Sequence, residues 1–423
     1  MVDARNRPAR RRTPVLLATL ALTGATALTA CGSSDDVAEP VAETTTIAPH
    51  PGLAELGVEE GPDTVAEFYG AELPEDAEAG SLIWAKPRSD APEGAAAYTV
   101  MYASESVHGG LAPVSGTLYV PEGEVKPDFV VWAHETAGTG DDCAPSRTTL
   151  NERYEGESVA QLLQDGHAVI APDYEGLGTP GKTVYMNGEA QAKNTLDAAR
   201  AARNFLGDKL GNRLVMYGYS QGGQTGLWSA HIAADYAPEL ELAGVLGIGS
   251  AAKYHDLALY EATAPNTRDD WGQGGYLVSA LAGISVGKDL PLQDVLTTQG
   301  LELLHTLSGD CWEPWQEAAE KTGPFAHEEA LQPGQPWGDA LAANDEFTPI
   351  PDTIPITLVQ GEADTDVPVE VGRELRDELC ESGSTVDYQE FAGEPHGVPS
   401  FKQHIRQWVD DRFSNQPPAD VCG

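Results

Sequence analysis

The stretch Leu214-Val215-Met216-Tyr217-Gly218-Tyr219-Ser220-Gln221-Gly222-Gly223 decides how this chain is read. An apolar run of branched and aromatic residues leads in, as in a strand buried on both faces. A helical pattern carried by Thr225, Leu227, Ala230, His231 and Ala234 leads out. Gly-x-Ser-x-Gly is a weak pattern alone; a strand before it and a helix after it give it meaning. In that setting the sharp turn lifts the Ser220 hydroxyl out of the sheet, and small residues at Gly218 and Gly222 permit the strain. The plain alternative is a surface serine on a glycine-rich turn, and the flanking periodicities argue against it.

Outward from this turn, strand-length apolar runs occur at 98–104, 114–120, 129–133, 167–171, 214–217, 244–247, 353–359 and 386–391. Helical stretches at 157–164, 189–205, 221–236, 369–380 and 399–413 lie between them. Strict alternation predicts an α/β architecture with a mostly parallel central sheet. Residues 253–352 interrupt the rhythm and carry helical patterns of their own, which is an inserted subdomain rather than a loop. The expected layout is a first core part over 52–252, a helical cap over 253–352 and a second core part over 353–423.

A serine hydroxyl needs a base to take its proton, and the base needs an acid to orient it. In this fold class the chain order is Ser, acid, His. Asp364 sits three residues past Gly361 at a strand end, just before Val367-Pro368, and takes the acid role. Glu362 and Asp366 compete, but Asp366 reads better as favourable charge at a helix N-terminus. His396 in the loop Gly393-Glu394-Pro395-His396-Gly397 takes the base role, while His404 falls mid-helix and reads as a surface residue. The oxyanion donors are expected at the amide of Gln221 and in the loop His134-Glu135-Thr136-Ala137-Gly138, with Thr136 ahead of Glu135. His134 itself reads as a structural loop histidine. No cofactor is implied, and no cysteine pair has zinc-site spacing, so no metal is expected.

These residues resemble the secretory lipases, an α/β-hydrolase family with fungal and actinobacterial members. The resemblance spans about residues 80–415. It rests on Val114-Ser115-Gly116-Thr117, Trp132-Ala133-His134, Cys143-Ala144-Pro145-Ser146, Asp173-Tyr174-Glu175-Gly176-Leu177-Gly178-Thr179-Pro180-Gly181 and Gly218 to Gly223. It implies an α/β-hydrolase fold with a helical cap before the acid-bearing strand, and hydrolysis of triacylglycerol or simple esters. Two departures stand out. Glu135 replaces the glycine usual in the family's His-Gly-Thr, and a carboxylate there weakens an oxyanion site unless it points away. Lys182-Thr183-Val184-Tyr185 replaces the usual His-Pro-Tyr, so no role is carried over to that stretch. Trp271, Trp312, Trp315 and Trp337 fall in the expected cap, where they either line an acyl site or simply pack it.

Residues 1–30 read as a signal peptide: Arg10-Arg11-Arg12, an apolar run from Val15 to Leu28 too short to span a bilayer, then Leu28-Thr29-Ala30 before Cys31. The last four residues resemble a lipobox, implying cleavage before Cys31, lipidation of its thiol and membrane attachment; an ordinary signal peptide is the alternative. The triple arginine is a weak twin-arginine signal. Residues 31–51, rich in Ser, Glu, Thr and Pro, read as a flexible acidic tether. The other cysteines, Cys143, Cys311, Cys380 and Cys422, suggest two disulfides in an exported chain. Three connectivities are open, and the shared C-terminal location of Cys380 and Cys422 favours Cys380–Cys422 with Cys143–Cys311.

The expected partners are therefore a lipid or small ester substrate and a membrane reached through Cys31. A serine peptidase of the same fold, a cutinase-like enzyme and a non-catalytic binding lipoprotein are the competing readings. The secretory-lipase motifs count against the first, the length against the second, and only Glu135 favours the third. Nucleic-acid binding is excluded by charge: 25 Lys+Arg against 66 Asp+Glu give −41 over 423 residues. Such a surface suits a salty medium, where counterions screen self-repulsion, or is a generic acidic surface. The first reading predicts that the melting temperature climbs from low salt to molar NaCl; a flat or falling curve selects the second.

Overall fold

Continuous apolar segments form the centre of the sheet because helices cover both of its faces. The computed structural model describes residues 52–150, 156–263, 274–312, 315 and 324–423. The expected signal segment, Cys31, the tether and Trp271 lie outside them. The strands are β1 (Leu82–Pro87), β2 (Ala95–Glu105), β3 (Leu111–Pro121), β4 (Phe129–Ala133), β5 (Val169–Pro172), β6 (Arg213–Tyr219), β7 (Glu241–Ile248), β8 (Ile356–Gly361) and β9 (Val386–Phe391). They form one sheet in the order β1-β2-β3-β5-β4-β6-β7-β8-β9. The pairs from β1 to β5 through β2 and β3 are antiparallel, and those from β5 to β9 are parallel. Every residue of β4 is buried, as a central parallel strand requires.

The helices of the main body are α1 (Val65–Tyr69), α2 (Gly156–Gln164), α3 (Gly188–Leu206) and α4 (Gln221–Tyr236). Between β7 and β8 the described residues add α5 (Tyr254–Thr263), α6 (Gly274–Ile284), α7 (Thr298–Leu307) and α8 (Pro336–Asn344). Then come α9 (Val369–Glu381) and α10 (Ile405–Phe413). The four inserted helices share an apolar cluster of their own, with Leu277, Val278, Leu281, Ile284 and Leu341 buried beside Trp315 and Trp337. Tyr185 and Met186, from the loop before α3, belong to that same cluster. No helix among the described residues is long and apolar enough to cross a membrane.

The structure departs from the sequence reading in particulars. β1 was not anticipated: its apolar residues Ile83 and Ala85 alternate with half-exposed ones on a short edge strand that ends in proline. The helix expected over 399–413 is split. Pro399–His404 winds as a 3₁₀ segment behind Val398, whose φ of 45° is left-handed, and the α-helix begins only at Ile405.

The Asp173–Gly181 motif turns out to be a bracket of buried acids. The Asp173 carboxylate accepts the Ser115 hydroxyl at 2.7 Å and the Ser146 amide at 2.9 Å. Glu175 accepts Ser106 Oγ at 2.6 Å and Val107 N at 3.2 Å. Each carboxylate thus ties a separate loop to the end of β5, and burial without these donors would be costly. Cys143 is bonded to Cys311 and Cys380 to Cys422, with Cα separations of 5.3 and 5.1 Å. The first bridge joins the loop after β4 to the inserted segment, and the second pins the C-terminal tail to α9.

Candidate active site

β6 delivers Ser220 at its C-terminal end, and α4 starts at the next residue. Ser220 has φ 55° and ψ −114°, a backbone state that L-residues rarely adopt. Two close approaches hold it there. A Cβ on Gly218 would lie 2.2 Å from Gly222 O, and one on Gly222 would lie 2.0 Å from Ala133 O at the end of β4. Only glycine fits either position. The turn is further tied by Ser220 N donating to Ile248 O at 2.8 Å and Ala251 N donating to Ser220 O at 3.1 Å.

The acid and the imidazole come from the next two loops. Asp364 follows β8 and its side chain is fully buried; His396 follows β9. His396 Nδ1 donates to Asp364 Oδ2 at 2.7 Å. The same oxygen accepts Gln360 Nε2 at 2.9 Å, while Oδ1 accepts the amides of Asp366 at 2.9 Å and Val367 at 2.8 Å. Four donors therefore hold the carboxylate, which explains how a buried acid stays in place without a cation. The two loops are stitched together by Glu362 N to Phe391 O and Ala363 N to Glu394 O. A Cβ on Gly249, at the end of β7, would meet His396 Nδ1 at 3.0 Å and Asp364 Oδ2 at 3.4 Å, so that glycine (φ 51°) makes room for the pair. The Glu362 carboxylate takes no part in this network among the described contacts, and His404 is exposed.

Ser220 and His396 line one cavity of about 550 Å³, together with Thr136, Glu135 and Asp366. The cavity size is ordinary for a small-molecule site. Thr136 Oγ1 lies 3.0 Å from Tyr185 Oη, which fixes the loop after β4 to the residue just upstream of α3. Gln221 is the first residue of α4, so its N–H has no partner inside the helix. His134 is fully buried, stacked on Tyr174 with ring centroids 4.4 Å apart, and one ring nitrogen faces Asp173 O. It is a packing residue of the loop. Glu135 stands at the cavity wall, so its carboxylate belongs to the site's surroundings.

The remaining wall was not legible from sequence: Tyr185, Met186, Tyr219, Tyr254, Leu257 and Tyr276. Tyr185 sits in the very stretch to which no role was assigned. Of the tryptophans, Trp312 lines the cavity, whereas Trp315 lies buried behind it, edge-on to Tyr185 and Tyr276. Trp337 is buried in the inserted cluster and donates to Pro291 O. The Cys143–Cys311 bridge bears on this wall. Trp312 N donates to Ala137 O at 3.2 Å and Thr139 N to Asp310 O at 3.1 Å, a short backbone pairing that seats Trp312 beside the Thr136 loop. Asp364, Asp366 and His396 offer ligand atoms within 4.8 Å of one another, but the Asp364 oxygens are already engaged by four N–H donors, so the cluster is wired as a hydrogen-bond network.

Burial opposes charging His396, but the Asp364 hydrogen bond and charge, with the charge of Asp366, outweigh it and raise its pKa above the ordinary 6.5. The protonated ring is thereby favoured, and a base must be neutral, so activity is lost as pH falls through that raised value. The acid limb of kcat should therefore lie above 6.5. Asp366→Asn should move it toward lower pH, because one of the charges that raise it is gone. A pH–rate profile of both forms checks this, and an acid limb below 6.5 that Asp366→Asn leaves in place is the contrary result.

The secretory lipase family profile matches residues 143–285. The chain is 26% identical over 354 residues to a secreted triacylglycerol lipase, LIP7, of Malassezia globosa, covering 77% of this chain and 73% of that one. It is likewise 26% identical over 313 residues to Lipase 9 of Candida albicans, covering 66% and 65%. Among solved structures, Candida antarctica lipase A in its closed state superposes with a TM-score of 0.65 at 19% identity, over 82% of this chain and 86% of that one. The rice cell wall degrading esterase LipA of Xanthomonas oryzae superposes with a TM-score of 0.64 at 18% identity, over 80% and 100%. The sheet order, the helical segment between β7 and β8 and the strained serine turn are those of an α/β-hydrolase fold, and the chain is similar in sequence to secretory lipases, whose family model covers residues 143–285.

Proposed function

We propose that this chain is an exported serine hydrolase of carboxylic esters, triacylglycerols or smaller esters, working through Ser220, His396 and Asp364. The observation that carries the proposal is the 2.7 Å bond from His396 Nδ1 to Asp364, in a ring that shares one cavity with the strained Ser220. With Nδ1 committed to the acid, Nε2 is the nitrogen left to take the serine proton. Ser220 Oγ attacks the ester carbonyl carbon as His396 accepts the proton. The C–O bond to the alcohol then breaks, the imidazolium hands its proton to the leaving alkoxide, and an acyl-enzyme remains. Water, deprotonated by the same imidazole, releases the carboxylic acid and restores Ser220.

The negative charge on the carbonyl oxygen is met by the amides of Gln221 and Thr136, each donor of this kind contributing roughly 10² to 10³ in kcat. The inserted helices act as the cap over the acyl group, with Tyr185, Tyr254 and Tyr276 as its wall. Cys31, once lipidated, holds the enzyme at the outer face of the membrane while residues 31–51 let the catalytic body reach its esters. Secreted triacylglycerol lipases among the relatives support export and ester hydrolysis.

A fluorophosphonate probe separates this reading from a binding lipoprotein of the same fold, since it should label the wild type and not Ser220→Ala. On p-nitrophenyl esters, Ser220→Ala should lose several orders of magnitude in kcat, and Ser220→Ala/His396→Ala little more, because the residues act as one unit. Additive losses would sink the triad assignment. For the anchor, Cys31→Ser should move the protein from the membrane fraction to the medium with unchanged specific activity on a soluble ester. Stable attachment takes two acyl chains or more, so an intact mass without them would rule the anchor out.

A further inference from the structure

The end of α8 carries two consecutive buried polar residues, Asn344 and Asp345, and neither touches the cavity. Their partners do. Asn344 Nδ2 donates to Met186 O at 3.0 Å, Asn344 Oδ1 accepts Gly188 N at 3.0 Å, and Asn344 O accepts Trp228 Nε1 at 2.8 Å. One residue thus fixes the Tyr185-Met186 turn, the start of α3 and a side chain of α4. Asp345 Oδ1 accepts Tyr254 N at 2.8 Å and Oδ2 accepts His255 N at 2.7 Å. Tyr254 and His255 open α5, whose first-turn amides have no acceptor within the helix. α5 bears Tyr254 and Leu257 on the cavity, and Tyr254 Oη donates to Tyr276 O on α6.

From this geometry we infer that Asn344 and Asp345 are positioning residues for the proposed ester hydrolysis, and that the Asp345 carboxylate clamps the α5 wall of the acyl site in a pH-dependent way. The inference rests on the functional reading above. Ionised, Asp345 offers both oxygens to the two amides and a full charge to the positive end of α5. Protonated, one oxygen becomes a donor facing an N–H, and the clamp weakens. Burial pushes this carboxyl up to about 6, against the pull of the His255 and Tyr254 amides and of Lys253, and with the push of Asp256. Lys253 is shared with Glu378 on α9 at 2.7 Å, and the His255 ring is turned away to Leu331 O at 2.8 Å.

Protonation at Asp345 loosens binding of the acyl group, and protonation at His396 removes the base. The two events therefore separate into KM and kcat. On a p-nitrophenyl ester, with active enzyme counted by fluorophosphonate titration, wild-type KM should rise as pH falls through about 6. Asp345→Asn keeps the shape but has a single acceptor oxygen, so its KM should be raised at pH 8 by on the order of fivefold, the scale of a lost helix cap. Its KM should not change further with pH, and its kcat per titrated site should stay near wild type. If KM is flat between pH 5 and 8 in the wild type, the inference is overturned even if the variant fails to fold. If Asp345→Asn keeps the wild-type KM profile, or loses only titratable sites, Asp345 is merely structural and the inference also fails. Absence of both labelling and hydrolysis in the wild type would instead overturn the parent reading, and this inference with it.

Discussion

A serine at φ 55° and ψ −114° is unfavourable for any L-residue, and much of the neighbouring backbone is arranged to keep Ser220 there. The strain survives because the surroundings over-determine it. Gly218 and Gly222 press against each other, Gly222 presses against the end of β4, and backbone bonds from Ile248 and Ala251 close the turn from the β7 side. β4, β6 and β7 are adjacent parallel strands in the middle of the sheet. The hydroxyl is therefore presented by packed backbone rather than by a mobile loop, which suits a group that must meet a carbonyl within a fraction of an ångström.

A second constraint is charge. In a chain of −41, carboxylates must be buried with care. Asp173, Glu175, Asp345 and Asp364 are buried, and each is given two or more N–H or O–H donors rather than a cation. Asp197 receives Ser104, Tyr236 and Arg200. The protein has few basic side chains to spend in its interior, and backbone amides at turns and helix starts supply the same stabilisation with fixed geometry. This is why the acid of the site, the motif after β5 and the junction at the end of α8 share one design.

The inserted helices have their own apolar cluster, yet their attachment to the main body is polar and covalent at defined points. Cys143–Cys311 and the pairing of 137–139 with 310–312 fasten one end beside the Thr136 loop. Asn344 fastens the end of α8 to α3 and α4, and Asp345 ties that end to α5 within the insertion. The cavity lies between these two fastenings, so its shape depends on residues far from it in sequence.

By itself the sequence picked out Ser220 and its turn, because those depend on local chemistry: glycines where backbone crowds, a branched apolar run before them, a helical period after. It also carried the alternation of strand and helix and the place of the long insertion. It favoured Asp364 as the acid over Glu362 and Asp366, from its place three residues past Gly361 and just before Val367-Pro368. Only the tertiary structure brought Asp364 to His396, by pairing β8 with β9 and knitting their two loops together. The same holds for the tyrosines of the cavity and for Asn344 and Asp345. Their importance comes from what the insertion is folded against, and contacts between residues 344 and 186, or 345 and 254, leave no mark on periodicity, composition or spacing.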